Sequence, residues 1–140
     1  MLVQCLYASR AVGPIDDALL QAVLEPSRHR NTAEGITGLL CHTEDVFLQI
    51  LEGGRSEVSR LLRRIMCDER HRDVTLLVFD EVSERAFSDW SMGQVSLDTV
   101  NPGRLLRFSA HHKLNPFEGR GHMMLAMLLD LRAHGGIVSR

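Results

Sequence analysis

No part of this 140-residue chain approaches the ~20 consecutive apolar residues that a membrane-spanning helix needs, which argues against a membrane span. Cysteines are few. Cys5, Cys41 and Cys67 are an odd number at wide spacing, which resembles neither a disulfide framework nor a zinc site. Neither charge dominates: 16 Lys and Arg face 18 Asp and Glu, a net charge of −2. The basic excess of a dedicated nucleic-acid binder is therefore missing. One Trp, one Tyr and five Phe are too few to give the paired exposed aromatics on which RNA-binding sheets stack bases. The first residues carry no basic stretch or cleavage pattern of a secretory signal. There is no Walker loop, GxGxxG turn, nucleophile elbow or H-E-x-x-H helix, so ordinary hydrolase and dinucleotide-dependent readings lack support. No histidine spacing points to a metal. With 44% hydrophobic and 24% charged residues, the expectation is one reduced, cytoplasmic globular domain.

The patterning that is present divides into elements. Residues 2–8 are a short apolar run of strand length that puts Val3, Cys5 and Tyr7 on one face. Gly13-Pro14 punctuates, and Asp16-Asp17 favours a helix start ahead of Leu19, Leu20, Val23 and Leu24. Pro26 lacks an N–H and predicts a kink or a re-started turn in that helix. Runs 35–42 and 46–51, separated by Thr43-Glu44-Asp45, predict a hairpin. Val58, Leu61, Leu62, Ile65 and Met66 mark an amphipathic helix with Ser56 or a neighbour as its cap. A polar link, 68–73, leads to a strand at 74–79, and residues 86–97 read as one further strand. The order β-α-β-β-α-β-β predicts an α+β class: a ferredoxin-like βαββαβ sheet with an added strand.

The last third differs. Residues 104–111 predict a short helix, and 122–134 a strongly apolar one that Gly135-Gly136 would stop. Strand 46–51 is apolar on both faces, so C-terminal helices are expected to cap the second sheet face. Residues 1–97 are then the main domain and 98–140 a helical extension of the same compact unit. The Met-rich helix is also the candidate surface for a homo-oligomer and for output, since Met-rich surfaces adapt to varied partners.

Several polar residues sit where a core is expected. Gln49 lies between Phe47 and Leu51 on one strand face, and the first and third strands of such a sheet are adjacent. A buried amide without a partner costs about 1–3 kcal/mol, so Gln49 must bond either Tyr7 or a ligand. Ser27 and Asn31 continue the Leu20–Leu24 helical face, either emerging into solvent or forming a pocket wall opposite Ile65. A slot with apolar sides and few convergent polar groups suits a planar heteroaromatic ring, whose imide edge an asparagine can match. Arg70 and His71 belong either to a solvated turn or to the binding of a ligand's phosphate or ribityl tail.

The ordered set 6–9 (LYAS), 27–31 (SRHRN), 35–40 (GITGLL), 47–53 (FLQILEG), 68–71 (DERH) and 87–92 (FSDWSM) resembles the BLUF family, flavin-binding bacterial blue-light sensors. The resemblance covers residues 1 to about 97. It implies noncovalent FAD, with FMN or riboflavin as alternatives, held between the two helices. It implies that Asn31 bonds the imide edge, with Ser27 and Arg30 at the pyrimidine side. Gln49 would lie near N5 and the C4 carbonyl, bonded to Tyr7. Ile36, Phe47 and Ile65 would give apolar contacts, and Asp68, Arg70 and His71 would lie toward the tail. Trp90 and Met92 match the residues that exchange near the glutamine; two apart in the predicted strand, they share a face, and either can point inward. The resemblance further implies light-driven transfer of an electron and a proton from Tyr7, rearranged Tyr–Gln–flavin bonding, and a sensor rather than an enzyme. The signal would leave through the strand of Trp90 and Met92 to an unknown downstream protein in trans. The competing reading is a small flavoprotein oxidoreductase.

Overall fold

Alternating apolar residues make Leu2–Ala11 a strand (β1) whose two faces bury different sets, Val3, Cys5 and Tyr7 on one and Leu6 and Ala8 on the other. A computed structural model describes residues 1–111, 113–134 and 137. After β1 come α1 (Asp17–Glu34), β2 (Thr37–His42), β3 (Val46–Gly54), α2 (Arg55–Cys67), β4 (His71–Val82) and β5 (Gly93–Ser96). One 3₁₀ turn, Leu97–Thr99, then precedes α3 (Pro102–Leu106) and α4 (Gly121–His134). The sheet order is β4-β1-β3-β2-β5, antiparallel except where β5 runs parallel to β2. This is the predicted ferredoxin-like arrangement with an added edge strand.

The 43–45 turn closes as expected, with Thr43 Oγ1 accepting from Val46 N at 3.1 Å. Gly38 lets β2 and β3 approach: a Cβ there would overlap the Ile50 carbonyl oxygen. Helix α1 begins where Asp16 accepts from Leu19 N at 2.9 Å, and ends at Gly35, whose φ of 70° is left-handed. Pro26 does not restart it; α1 runs unbroken through the proline. Helix α2 begins directly at the strand end with Gly54 as N-cap, not Ser56. Strand β4 starts at His71, ahead of the predicted 74–79, because Arg72 and His71 pair with Arg10 and Ala11 of β1.

The predicted strand 86–97 is corrected. Residues 83–92 are irregular, and β5 is confined to Gly93–Ser96. Several backbone groups of this segment pair with side chains, and Trp90 O accepts from Gly38 N of β2 at 3.0 Å. Among the side-chain pairs are Ala86 N and Phe87 N on Glu52, and Ser91 O with Asn31. Helix α3 is also shorter and earlier than the predicted 104–111, capped by Asn101 with Pro102 at its first turn. The predicted Gly135-Gly136 stop lies outside the described residues.

Two apolar cores follow from the two sheet faces. Beneath α1 and α2, Leu20, Leu24, Val58 and Leu61 pack on Val3, Cys5, Tyr7, Leu40, Phe47 and Leu51. On the other face, Met124, Met127, Leu128 and Leu131 of α4 pack on Leu6, Leu39, Leu48 and Ile50. Each such fully buried Leu or Met contributes about 1.5–3 kcal/mol, which explains why an all-round apolar helix ends on the sheet. Among the described residues, no helix is long and apolar enough to cross a membrane.

Candidate functional site

Adjacent central strands bring the first pair together. Tyr7 and Gln49 are direct cross-strand partners, and the Tyr7 hydroxyl donates to Gln49 Oε1. The other end of the amide is also used, with Gln49 Nε2 donating to Met92 Sδ at 3.2 Å. Burial, reinforced by Cys5 and Asp68, pushes the Tyr7 phenol well above its ordinary range, so it remains a donor at any ordinary pH.

Above this floor lies a narrow cleft of about 70 Å³ between α1 and α2. Tyr7, Ser27, Arg30, Asn31, Gln49, Ile65, Asp68, Arg70 and His71 all line it. Ile36 and Phe47 do not; they lie in the core behind the floor, where the Phe47 ring meets His71 at 5.0 Å. Val23, Leu40, Leu61 and Arg64 also line the cleft, although the sequence pattern does not assign them to it. Their positions were readable: Val23 and Leu61 lie one turn before Ser27 and Ile65, and Leu40 pairs with Gln49 across β2 and β3.

Trp90 and Met92 do not share a strand face, because neither is in a strand. Met92 is buried in the core beneath α1 and α2, while Trp90 packs against the core on the α4 side. The connecting segment is pinned from α1, by Arg28 Nε to Met92 O at 3.0 Å and Asn31 Nδ2 to Ser91 O at 3.0 Å.

Polar partners fix the rest. Ser27 donates to Val23 O at 2.6 Å, which leaves its oxygen lone pairs toward the cleft. Ser9, fully buried, bonds His71 Nδ1 at 2.8 Å. Burial lowers the His71 pKa, opposed by Asp68 and assisted by Arg70. The hydrogen bond from Arg70 holds the Asp68 carboxyl below its usual range. Glu52 falls in the 47–53 motif, but nothing in the sequence assigns it a role. It is 0% exposed, and its carboxylate accepts from Gln4 Nε2 at 2.8 Å, Ala86 N at 3.0 Å and Phe87 N at 2.7 Å. Among the described residues, no three His, Cys, Asp or Glu side chains gather as metal ligands would.

A buried hydrogen-bonded pair beneath a polar-walled cleft, on a sheet capped by helices, defines a small-ligand-binding α+β domain. Residues 2–93 match the model of the BLUF family, sensors of blue-light using FAD, and the chain belongs to that family. It is 36% identical over 92 residues to the photoactivated adenylate cyclase subunit beta of Euglena gracilis, 65% of this chain but 11% of that protein. The chain thus spans about a tenth of the length of the curated relatives it matches. The photo-activated state of BlsA superimposes with a TM-score of 0.84 at 30% identity, covering 94% of both chains. The dark-state structure of BlrB, a BLUF protein, gives 0.74 at 32% identity, covering 94% of this chain and 95% of that one.

The cleft can be tested against the family's flavin on its own geometry. Asn31 is 1% exposed, and its Oδ1 is a buried acceptor without a hydrogen-bond partner. Buried polar atoms without partners are rare in folded proteins. The imide N–H of a flavin ring supplies the donor this oxygen lacks, so the residues fit the group.

Proposed function

We propose that this chain is a blue-light photoreceptor that holds a flavin noncovalently in the α1–α2 cleft and reports light through the Tyr7–Gln49–Met92 hydrogen bonds. The observation that carries this reading is the chain of bonds from the Tyr7 hydroxyl through both ends of the Gln49 amide to the Met92 sulfur. Asn31 Oδ1 receives the ring's imide N–H, with Ser27 and Arg30 beside it. Ile65 supplies an apolar wall, while Ile36 and Phe47 back the floor. Asp68, Arg70 and His71 face the tail. FAD is the expected form; FMN and riboflavin carry the same ring and meet the same residues. Long side chains such as Arg30 and Arg64 line much of the cleft, so rotamer changes widen it for a planar ring.

When bound, the flavin absorbs blue light and becomes a strong oxidant. With flavin bound, Tyr7 would be placed to give it an electron, and the phenolic proton would pass toward Gln49 Oε1 along the bond already present. Both return to Tyr7, so the cycle has no net redox change. What persists is a reversed Gln49 amide, which now donates to Tyr7 and turns its oxygen toward Met92. A thioether sulfur cannot donate, so the reversed amide loses its Met92 partner. The 83–92 segment is thereby loosened at one end. Its other end reaches α4, where Arg132 Nη1 donates to Ala86 O at 2.8 Å. The signal leaves by this route toward a downstream partner protein.

Absorption spectra before and after blue light test the reading. The wild type is expected to carry oxidised flavin that red-shifts reversibly without bleaching. Gln49→Leu is expected to bind flavin and show no shift. A chain that takes up no flavin, or a normal shift in Gln49→Leu, overturns it.

A homo-oligomer is proposed through the half-buried Met123, Leu125 and Leu129 of α4, since its other large apolar residues are consumed by the sheet. Leu125→Glu is expected to lower the mass seen by sedimentation, and an unchanged mass argues against this surface.

A further inference from the structure

The proline in α1 has a consequence at the edge of the cleft. An α-helical carbonyl ordinarily accepts from the N–H four residues later. Pro26 has none, so Ala22 O lacks its usual i+4 donor. Arg70 supplies it: Nη1 donates to Ala22 O at 3.2 Å. The arginine is aimed by Asp68, whose carboxylate takes Nε at 3.0 and 3.2 Å and Nη2 at 2.7 Å. With Nε and Nη2 committed, the planar guanidinium presents Nη1 across to α1. Asp68 caps the end of α2, so one side chain ties the α2–β4 connection to α1 beside the cleft that Asp68 and Arg70 both line. Other polar ties of α1, among them Arg28 to Met92 O, Asn31 to Ser91 O and Glu34 to Arg64, lie in its C-terminal half. The Ala22–Arg70 bond holds the N-terminal half.

We infer that Pro26 is a positioning residue for a latch: it leaves the Ala22 carbonyl free to dock Arg70, and the docked arginine sets how fast the flavin leaves the cleft. This rests on the proposed flavin site and adds to it the residue that controls residence time. Pro26 itself does not line the cleft, so its replacement separates the latch from ring recognition. In Pro26→Ala, the new N–H of residue 26 bonds Ala22 O within the helix and competes with Arg70.

The experiment uses the full chain loaded with FMN and follows free-FMN fluorescence after dilution in the dark. Pro26→Ala is expected to release FMN faster by about two- to tenfold, the factor one intramolecular hydrogen bond confers, with an unaltered light-induced red shift. Arg70→Lys, which keeps the charge and loses the fork, is expected to speed release at least as much. The double variant is expected to be no faster than Arg70→Lys alone, because both changes break one contact. A wild-type release rate in Pro26→Ala, or effects of the two substitutions that multiply, overturns the latch. In that case the wild type's red shift leaves the functional reading intact, whereas a wild type without flavin uptake defeats that reading first.

Discussion

Tyr7→Phe is expected to fold and take up flavin as the wild type does, with no red-shifted state forming under blue light. The substitution removes one oxygen and keeps the ring that packs among Cys5, Leu40 and Phe47. Loss of the hydroxyl leaves Gln49 Oε1 without its donor, a penalty of about 1–3 kcal/mol that a stable domain tolerates. The photochemical loss is complete because the hydroxyl is at once the source of the proton and the partner that reads the amide's orientation. The contrast with pH is informative. Burial holds the phenol above its ordinary range, so the folded state disfavours the phenolate. The wild-type photocycle should therefore persist to pH 10, where an ordinary tyrosine is half ionised. Difference spectra of both proteins across pH 7–10 check this, and a normal shift in Tyr7→Phe removes Tyr7 from the route.

Replacing Glu52 by leucine has the largest expected effect on stability. The side chain is fully buried, and three donors converge on it: the Gln4 amide and the N–H groups of Ala86 and Phe87. Leucine fills the space and accepts nothing. Three donors left dry at about 1–3 kcal/mol each amount to roughly 3–6 kcal/mol after partial relaxation, a large part of the 5–15 kcal/mol typical of a domain. Urea unfolding measures it, and a loss below about 1 kcal/mol would mean that water replaces the carboxylate. Glu52→Gln keeps an acceptor for one or two donors and should fall between. Surviving Glu52→Leu protein should also show faster amide exchange at Ala86 and Phe87, because their acceptor is gone.

The sequence made the scaffold legible through period and punctuation. Tyr7 and Gln49 could be placed side by side because strand order in a split βαβ sheet is topologically constrained, and cross-strand neighbours follow from it. The cleft wall at Ser27 and Asn31 was legible as polar residues on an apolar helical face. What stayed hidden depended on partners distant in sequence. Glu52 was invisible because a charged residue at a strand end usually reads as exposed; its burial depends on donors 34 and 35 residues later. Residues 86–92 mimic strand alternation, yet several of their backbone groups are satisfied by side chains from β3, α1 and α4, which no local pattern encodes. That is also why Met92 and Trp90 part to opposite sides. Pro26 predicts a kink or a re-started turn, but Arg70 donates to the carbonyl that lost its i+4 partner, and the helix continues.

The placement of β1 between β3 and β4 sets the order in which the molecule can be made. The first strand synthesised is bonded on both edges by strands that come later, and Tyr7 lies 42 residues from Gln49. As the chain leaves the ribosome, β1 therefore waits without a ladder until β3 is made, and its other edge waits for β4. Distant pairings of this kind slow folding, because the loop must close before any contact rewards it. The Tyr7–Gln49 pair cannot exist before β3 is made. Flavin can stabilise only the finished product, acting by mass action on the native state and offering nothing to the nascent one. A cell short of flavin would thus lose this protein through turnover of the completed fold, not through failure to begin folding.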